Sequence, residues 1–192
     1  YCAEIGIEYL TIYAFSTENW KRSEDEVSSL IQLLRRYLTE LESYIKDNCI
    51  IRFIGDLTAF DPDIREHIRE IEDASKVNTG MTFSIAINYG GRDEIRHATQ
   101  EIAKKVKNGE ISPEEITEKT VEEHLYTKGI PNVDCIIRPS GEYRLSNFLV
   151  WQSAYAEFIF MDDILWPDFK PKHLDMALTE YSKRNRRFGA AT

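Results

Sequence analysis

Several absences narrow what this chain can be. No apolar run approaches the ~20 residues that a membrane-crossing helix needs, and no signal peptide is legible. The formal net charge is −9, and no block of lysines or arginines is long enough to track a phosphodiester backbone. That argues against a general nucleic-acid binder. Cysteine is scarce: Cys2, Cys49 and Cys135 are far apart and odd in number. They form neither a metal pattern nor a disulfide framework, which points to a reducing compartment. The four histidines, His67, His97, His124 and His173, are equally scattered and read as helix-surface residues rather than ligands. No G-x-G-x-x-G follows a strand, and Asn88-Tyr-Gly-Gly-Arg92 has the wrong spacing, which counts against a dinucleotide module. Internal repeats, linkers and low-complexity segments are absent. The sequence opens Tyr-Cys-Ala-Glu-Ile-Gly-Ile without a helix or strand start signal. It reads as if entered in the middle of an element, so a preceding segment is expected.

What is present suits a globular domain. Of 192 residues, 42% are hydrophobic and 30% charged, enough for one domain with a real core. Residues 1–5 read as the tail of a helix ended by Gly6. Glu8–Phe15 is rich in β-branched and aromatic residues and predicts a strand. It runs into the polar, aromatic-bearing loop Ser16–Arg22. Ser23 with Glu26 fits a capping box. A helix to about Asp47 follows, with Val27, Leu30, Ile31, Leu34, Leu38, Leu41 and Ile45 on one face. Cys49–Ile54 predicts a second strand, 62–76 a helix opened by Pro62, and Met81–Asn88 a third strand. A helix then runs from Arg92 to about Asn108, with Gly109 as its stop. Ser112-Pro113 predicts one short helix, and Thr120 with Glu123 the cap of another. Val133–Ile137 and Glu157–Met161 predict two more strands. Pro171 opens a last helix ending near Arg186–Gly189. Strands that are almost continuously apolar, alternating with helices, predict an α/β fold with a mostly parallel central sheet flanked by helices.

In such sheets ligands sit beyond the carboxyl ends of the strands. Here those ends are Ser16–Arg22, Gly55-Asp56, Asn88–Arg92 and Arg138–Ser146, the most polar and glycine-rich stretches of the chain. The last opens the stretch Asp134–Glu157, where an apolar run leads into a small-residue turn with Arg138 and Arg144 around Ser140, Gly141 and Glu142. Two guanidiniums can each donate paired hydrogen bonds to phosphate oxygens, with hydroxyls such as Ser146 filling the gaps. Glu157 could hold a divalent cation beside that phosphate. An ion pair of an arginine with Glu142, and of Glu157 with some arginine, are the plain alternatives. Asp162-Asp163 lacks the DDxxD spacing of an aspartate-rich diphosphate motif, because Ile164, Leu165 and Trp166 follow.

The blocks Phe15–Trp20, Ile54–Asp56, Asn88–Arg92, Ile137–Phe148, Trp151-Gln152 and Ala154–Glu157 occur in this order, followed by Leu165–Asp168 and Arg186–Gly189. Together they closely resemble the cis-prenyltransferase family, over essentially the whole chain. The resemblance implies a Rossmann-like fold of the undecaprenyl diphosphate synthase type. It implies a Mg2+-dependent transferase that condenses isopentenyl diphosphate with an allylic primer, farnesyl diphosphate, to give a long cis-polyprenyl diphosphate. The product would be undecaprenyl diphosphate for cell-wall synthesis. It also implies a homodimer, a cytoplasmic location and transient contact with the inner membrane face. Arg138, Arg144 and Ser146 match positions that hold the diphosphate of isopentenyl diphosphate. Glu157 matches an acidic residue that helps hold Mg2+. Ser16, Asn19, Trp20 and Arg22 match a loop that closes over substrate, with Asn19 implicated in proton removal. The helix Val27–Ile45 matches one wall of a product tunnel, and Arg186–Gly189 a tail that reaches the partner subunit's site.

The sequence departs from the family pattern in one important respect. The family's aspartate-containing phosphate loop lies before the matched region, and this sequence does not contain it. A single domain lacking its first strand and that loop, and inactive alone as written, is therefore expected. A non-catalytic partner subunit of the same fold is the alternative, although its signature would be loss of the arginines or of the Asn19 loop. Pro139, Ser140 and Ala190 depart from common family residues without removing a side chain with an assigned role.

Overall fold

The computed structural model describes residues 1–184. The chain divides into two compact units, the first spanning Tyr1–Lys128 and the second beginning at Gly129. Each has its own parallel ladder, as the apolar character of the strands predicts.

In the first unit, β1 (Tyr9–Ser16), β2 (Ile50–Ile54) and β3 (Thr82–Tyr89) pair in the order β1-β3-β2. Central strand β3 is buried along almost its whole length. A strand between two parallel neighbours with both faces covered needs such an unbroken apolar run. Side-chain alternation sends Phe83, Ile85 and Ile87 into one hydrophobic cluster. There they meet Phe53 of β2, Leu38 and Leu41 of α1 (Glu24–Lys46), and Ile64, Ile68 and Ile71 of α2 (Pro62–Ser75). The expected stripe of α1 is real but only partly covered: Leu38 and Leu41 are buried, while Leu30, Ile31, Leu34 and Ile45 pack at the margin of the cluster. The capping box at Ser23 forms as its spacing predicts. Helix α3 (Gly91–Lys107) follows β3 and stops before Gly109, whose φ of +72° takes it out of the helical region.

Four local expectations shift. Residues 1–6 form turns rather than a helix tail, yet Gly6 has the left-handed φ of +83° foreseen for a cap. The stretch after β1 is not an open loop but a 3-10 helix, Thr17–Lys21. The short helix α4 (Glu118–Glu122) is capped by Thr117, not by Thr120 with Glu123. Thr120 occupies the third helical position, and its backbone N–H donates to the Thr117 hydroxyl at 3.2 Å. Both threonines carry the hydroxyl of a cap, so residue type alone cannot choose between them. Finally, Ser112-Pro113 opens a single 3-10 turn, Pro113–Glu115.

In the second unit, β4 (Cys135–Pro139) pairs in parallel with β5 (Glu157–Met161). Ile159 and Met161 pack on Ala177 of α5 (Pro171–Ser182). The segment expected to carry Arg186–Gly189 lies outside the described residues.

Candidate functional site

In the first unit the carboxyl ends of three strands meet. The ladder between β1 and β3 loses its regular register around Phe15, at the end of β1. Such irregularities bend a strand and re-aim the segment after it. Here that segment is the 3-10 helix carrying Asn19 and Trp20. Ser16 caps it, and its backbone N–H donates to Asn19 Oδ1 at 2.7 Å. Trp20 lies edge-on to Phe15, 5.1 Å between ring centres, and 5.9 Å from Phe60. It remains 37% exposed. It therefore packs as a core residue does and still presents a face to solvent. Arg22 ends the turn, exposed, with Glu26 3.8 Å away. Burial first, and then the charge of Glu18, push the Tyr13 hydroxyl up to about 12. That hydroxyl stays protonated and donates to the Tyr89 carbonyl at 3.0 Å. The structure thus brings Ser16, Asn19, Trp20 and Arg22 together in one turn, beside Gly55-Asp56 and Asn88.

In the second unit, Arg138 at the end of β4 is half-buried. Its guanidinium donates to Ser146 Oγ at 2.7 Å and to the Arg144 carbonyl at 2.6 Å. It also grips Glu142. Arg144, more exposed, reaches the other oxygen of the same carboxylate at 2.5 Å. One anionic group is held by two guanidiniums beside a hydroxyl, the arrangement that binds a phosphate. The Arg138 guanidinium, and with it Arg144, holds the Glu142 carboxyl below the usual carboxylate range. The plain ion-pair reading and the anion-site reading thus describe the same donors. Around them the backbone is strained: Ser140, Ser146, Asn147 and Leu149 all have positive φ. Non-glycine residues rarely adopt that region, and they cluster where function demands a fixed shape. Buried Leu149 anchors the end of the loop. Asp162 accepts a hydrogen bond from the Tyr143 hydroxyl, a structural use for the aspartate pair.

Glu157 does not join this cluster within the second unit. It opens β5 opposite Cys135, whereas Arg138 lies opposite Phe160. Three residues of strand, about 10 Å, separate the two positions along the ladder. Alternation also puts them on opposite faces, because Glu157 shares the face of Ile159 and Met161. Its carboxylate accepts from Arg184 at 3.1 Å. Among the described residues no group of three or more metal-ligating side chains converges. A single carboxylate already paired to a guanidinium does not make a divalent-cation site by itself. Arg184, Asn88 and the bridging role of Glu142 were not assigned from sequence. A lone arginine on a polar helix end and an asparagine after a strand carry no distinctive pattern.

Comparison with known proteins places the chain in a family. Residues 1–189 match the family model described as "Putative undecaprenyl diphosphate synthase". This chain belongs to the cis-prenyltransferase family. An isoprenyl transferase of Clostridium tetani is 45% identical over 189 residues, covering 98% of this chain and 74% of that protein. The ditrans,polycis-undecaprenyl-diphosphate synthase ((2E,6E)-farnesyl-diphosphate specific) of Haemophilus influenzae is 45% identical over 190 residues, covering 98% and 79%. Among solved structures, lavandulyl diphosphate synthase from Lavandula x intermedia, in complex with dimethylallyl diphosphate, superposes with a TM-score of 0.90 at 39% identity. It covers 98% of this chain and 81% of that one. A protein of Campylobacter jejuni described as "a probable undecaprenyl diphosphate synthase" gives 0.86 at 37% identity, covering 98% and 86%. The parallel α/β architecture is that of the cis-prenyltransferases.

Proposed function

We propose that the protein extends an allylic prenyl diphosphate, farnesyl diphosphate, with isopentenyl diphosphate to give a long-chain cis-polyprenyl diphosphate. Undecaprenyl diphosphate for cell-wall synthesis is the product we assign, since two farnesyl-specific relatives carry undecaprenyl diphosphate in their names. The observation that carries the reading is the pair Arg138 and Arg144 converging on one anionic group beside Ser146. Isopentenyl diphosphate offers a protein little to grip except its diphosphate, so paired guanidiniums suit it.

In the reaction the primer's bond from carbon to diphosphate oxygen breaks, and the leaving group takes the electron pair. The isopentenyl double bond attacks that carbon, and a proton is lost to leave a new cis double bond. Arg138, Arg144 and Ser146 hold the nucleophile by its diphosphate. Trp20 and Arg22 screen the cation-like centre from water. Asn19 offers its side-chain oxygen to the departing proton; its present partner is the Ser16 N–H. Mg2+ would stabilise charge growing on the leaving diphosphate. Of the residues described, Glu157 is the one we assign to it. We further propose a homodimer, and transient contact with the inner membrane face, where a hydrocarbon product must be delivered. No described helix is long and apolar enough to cross a membrane.

The test is product formation by full-length protein from farnesyl diphosphate, labelled isopentenyl diphosphate and Mg2+. Arg144→Ala is expected to raise the KM for isopentenyl diphosphate roughly ten- to hundred-fold, the range for losing one charged hydrogen bond of about 1.5–3 kcal/mol. The KM for farnesyl diphosphate should barely move. Equal effects on the two would refute the assignment.

A further inference from the structure

Asn88 sits near the end of β3 with a partner at each end of its side-chain amide. Its Oδ1 accepts the Trp20 indole N–H at 2.8 Å, and its Nδ2 donates to the Asp56 carbonyl at 2.7 Å. Its own carbonyl accepts from the Asp56 N–H at 3.2 Å. Only one orientation of the amide satisfies both partners, because an indole can only donate and a carbonyl can only accept. Asn88 is 6% exposed, and its φ of +44° is left-handed. Asparagine tolerates that conformation better than most residues. Aspartate would accept from Trp20 but could not donate to Asp56. A hydrophobic residue would remove the partner of both groups in a half-buried place.

Contacts with Phe15 and Phe60 hold the Trp20 ring by its faces and edges. Such contacts fix where an indole lies better than which way round it lies. The bond to Asn88 chooses the orientation, and Asn19 is the residue before Trp20. We propose that Asn88 is a positioning residue: it orients the Trp20 indole, and through it the Asn19-bearing turn, against the carboxyl end of β2. This rests on the proposed role of that turn in closing over substrate.

The experiment compares Asn88→Gly, Asn88→Asp and Trp20→Phe in full-length protein. Glycine tolerates the left-handed backbone and removes both side-chain bonds. Aspartate keeps the acceptor for Trp20. Phenylalanine keeps the aromatic packing and removes the indole donor. Asn88→Gly and Trp20→Phe are each expected to lower kcat/KM about five- to ten-fold, the scale of one hydrogen bond. Combined, they should cost little more than either alone. In a background where every tryptophan except Trp20 is replaced by phenylalanine, Trp20 fluorescence anisotropy should fall in Asn88→Gly and hold in Asn88→Asp. Additive kinetic losses, or anisotropy unchanged in Asn88→Gly, would overturn the proposal. If the unaltered protein makes no product, the functional reading fails. The anisotropy then decides the Asn88–Trp20 link by itself.

Discussion

Arg184 closes on Glu157: its Nη1 lies 3.1 Å from Glu157 Oε2 and also donates to the Phe158 carbonyl at 2.9 Å. The carboxylate foreseen as a metal partner is thus neutralised by the chain itself. Both groups keep access to water, and ion pairs open to solvent contribute little to stability. Arg184→Ala should therefore shift Tm by no more than about a degree or two. Under the proposed function it should also lower the Mg2+ concentration that supports half-maximal product formation, because the cation no longer competes with a guanidinium. Glu157→Gln should raise that concentration. Opposite movements of the two variants are the signature; parallel ones would remove Glu157 from the metal's surroundings.

Glu142 presents the same competition to an incoming anion. It takes one donor from each of Arg138 and Arg144. Glu142→Gln should free both guanidiniums and tighten inorganic pyrophosphate binding several-fold in calorimetry at low salt, with the gain fading as salt rises. Weaker binding would show that Glu142 aligns the arginines instead of occupying them.

Gly55 is sterically irreplaceable. Its φ is +128°, and a Cβ there would lie 2.0 Å from the Ile87 carbonyl oxygen. Gly55→Ala must push apart the ends of β2 and β3, at a cost of about 3 kcal/mol or more. Tm should fall by roughly 10 °C. Gly109→Ala is the control: φ is also positive, but nothing lies within 4 Å. It should cost only about 1–2 kcal/mol of backbone strain.

Glu72 of α2 accepts from the Phe53 N–H at 2.8 Å, and burial pushes its carboxyl pKa up. A raised carboxyl pKa means that the folded state binds the proton more tightly than the unfolded state. Its ionisation therefore works against folding as pH rises through the raised value, and the penalty disappears below the unfolded value. Glu72→Gln keeps an acceptor for Phe53 and removes the charge. Its Tm should exceed that of the parent protein at neutral pH, and the difference should close as pH is lowered towards about 4, the ordinary carboxyl value. A difference that does not change with pH would assign the effect to packing.

Much of this protein is legible in its residues. The apolar runs of β1 to β5, the capping box at Ser23 and the stop at Gly109 are local signals, written within a few residues and decided by backbone sterics and burial. The family is legible because its motif blocks are short and specific. The cluster of Arg138, Arg144 and Ser146 is legible for a related reason: its members lie on one strand end and the loop that follows it, so sequence spacing keeps them near each other. What the residues could not decide is who meets whom across long separations. Glu157 follows Arg138 closely in sequence, yet parallel register and side-chain alternation put the two at different levels and on opposite faces of one ladder. Trp20 and Asn88 are far apart in sequence, yet the order β1-β3-β2 makes their strand ends adjacent and supplies the indole with its partner. Sequence determined the elements and the chemistry available at their ends. Only the tertiary structure decided the pairing, because strand register and strand order are set by how whole faces pack.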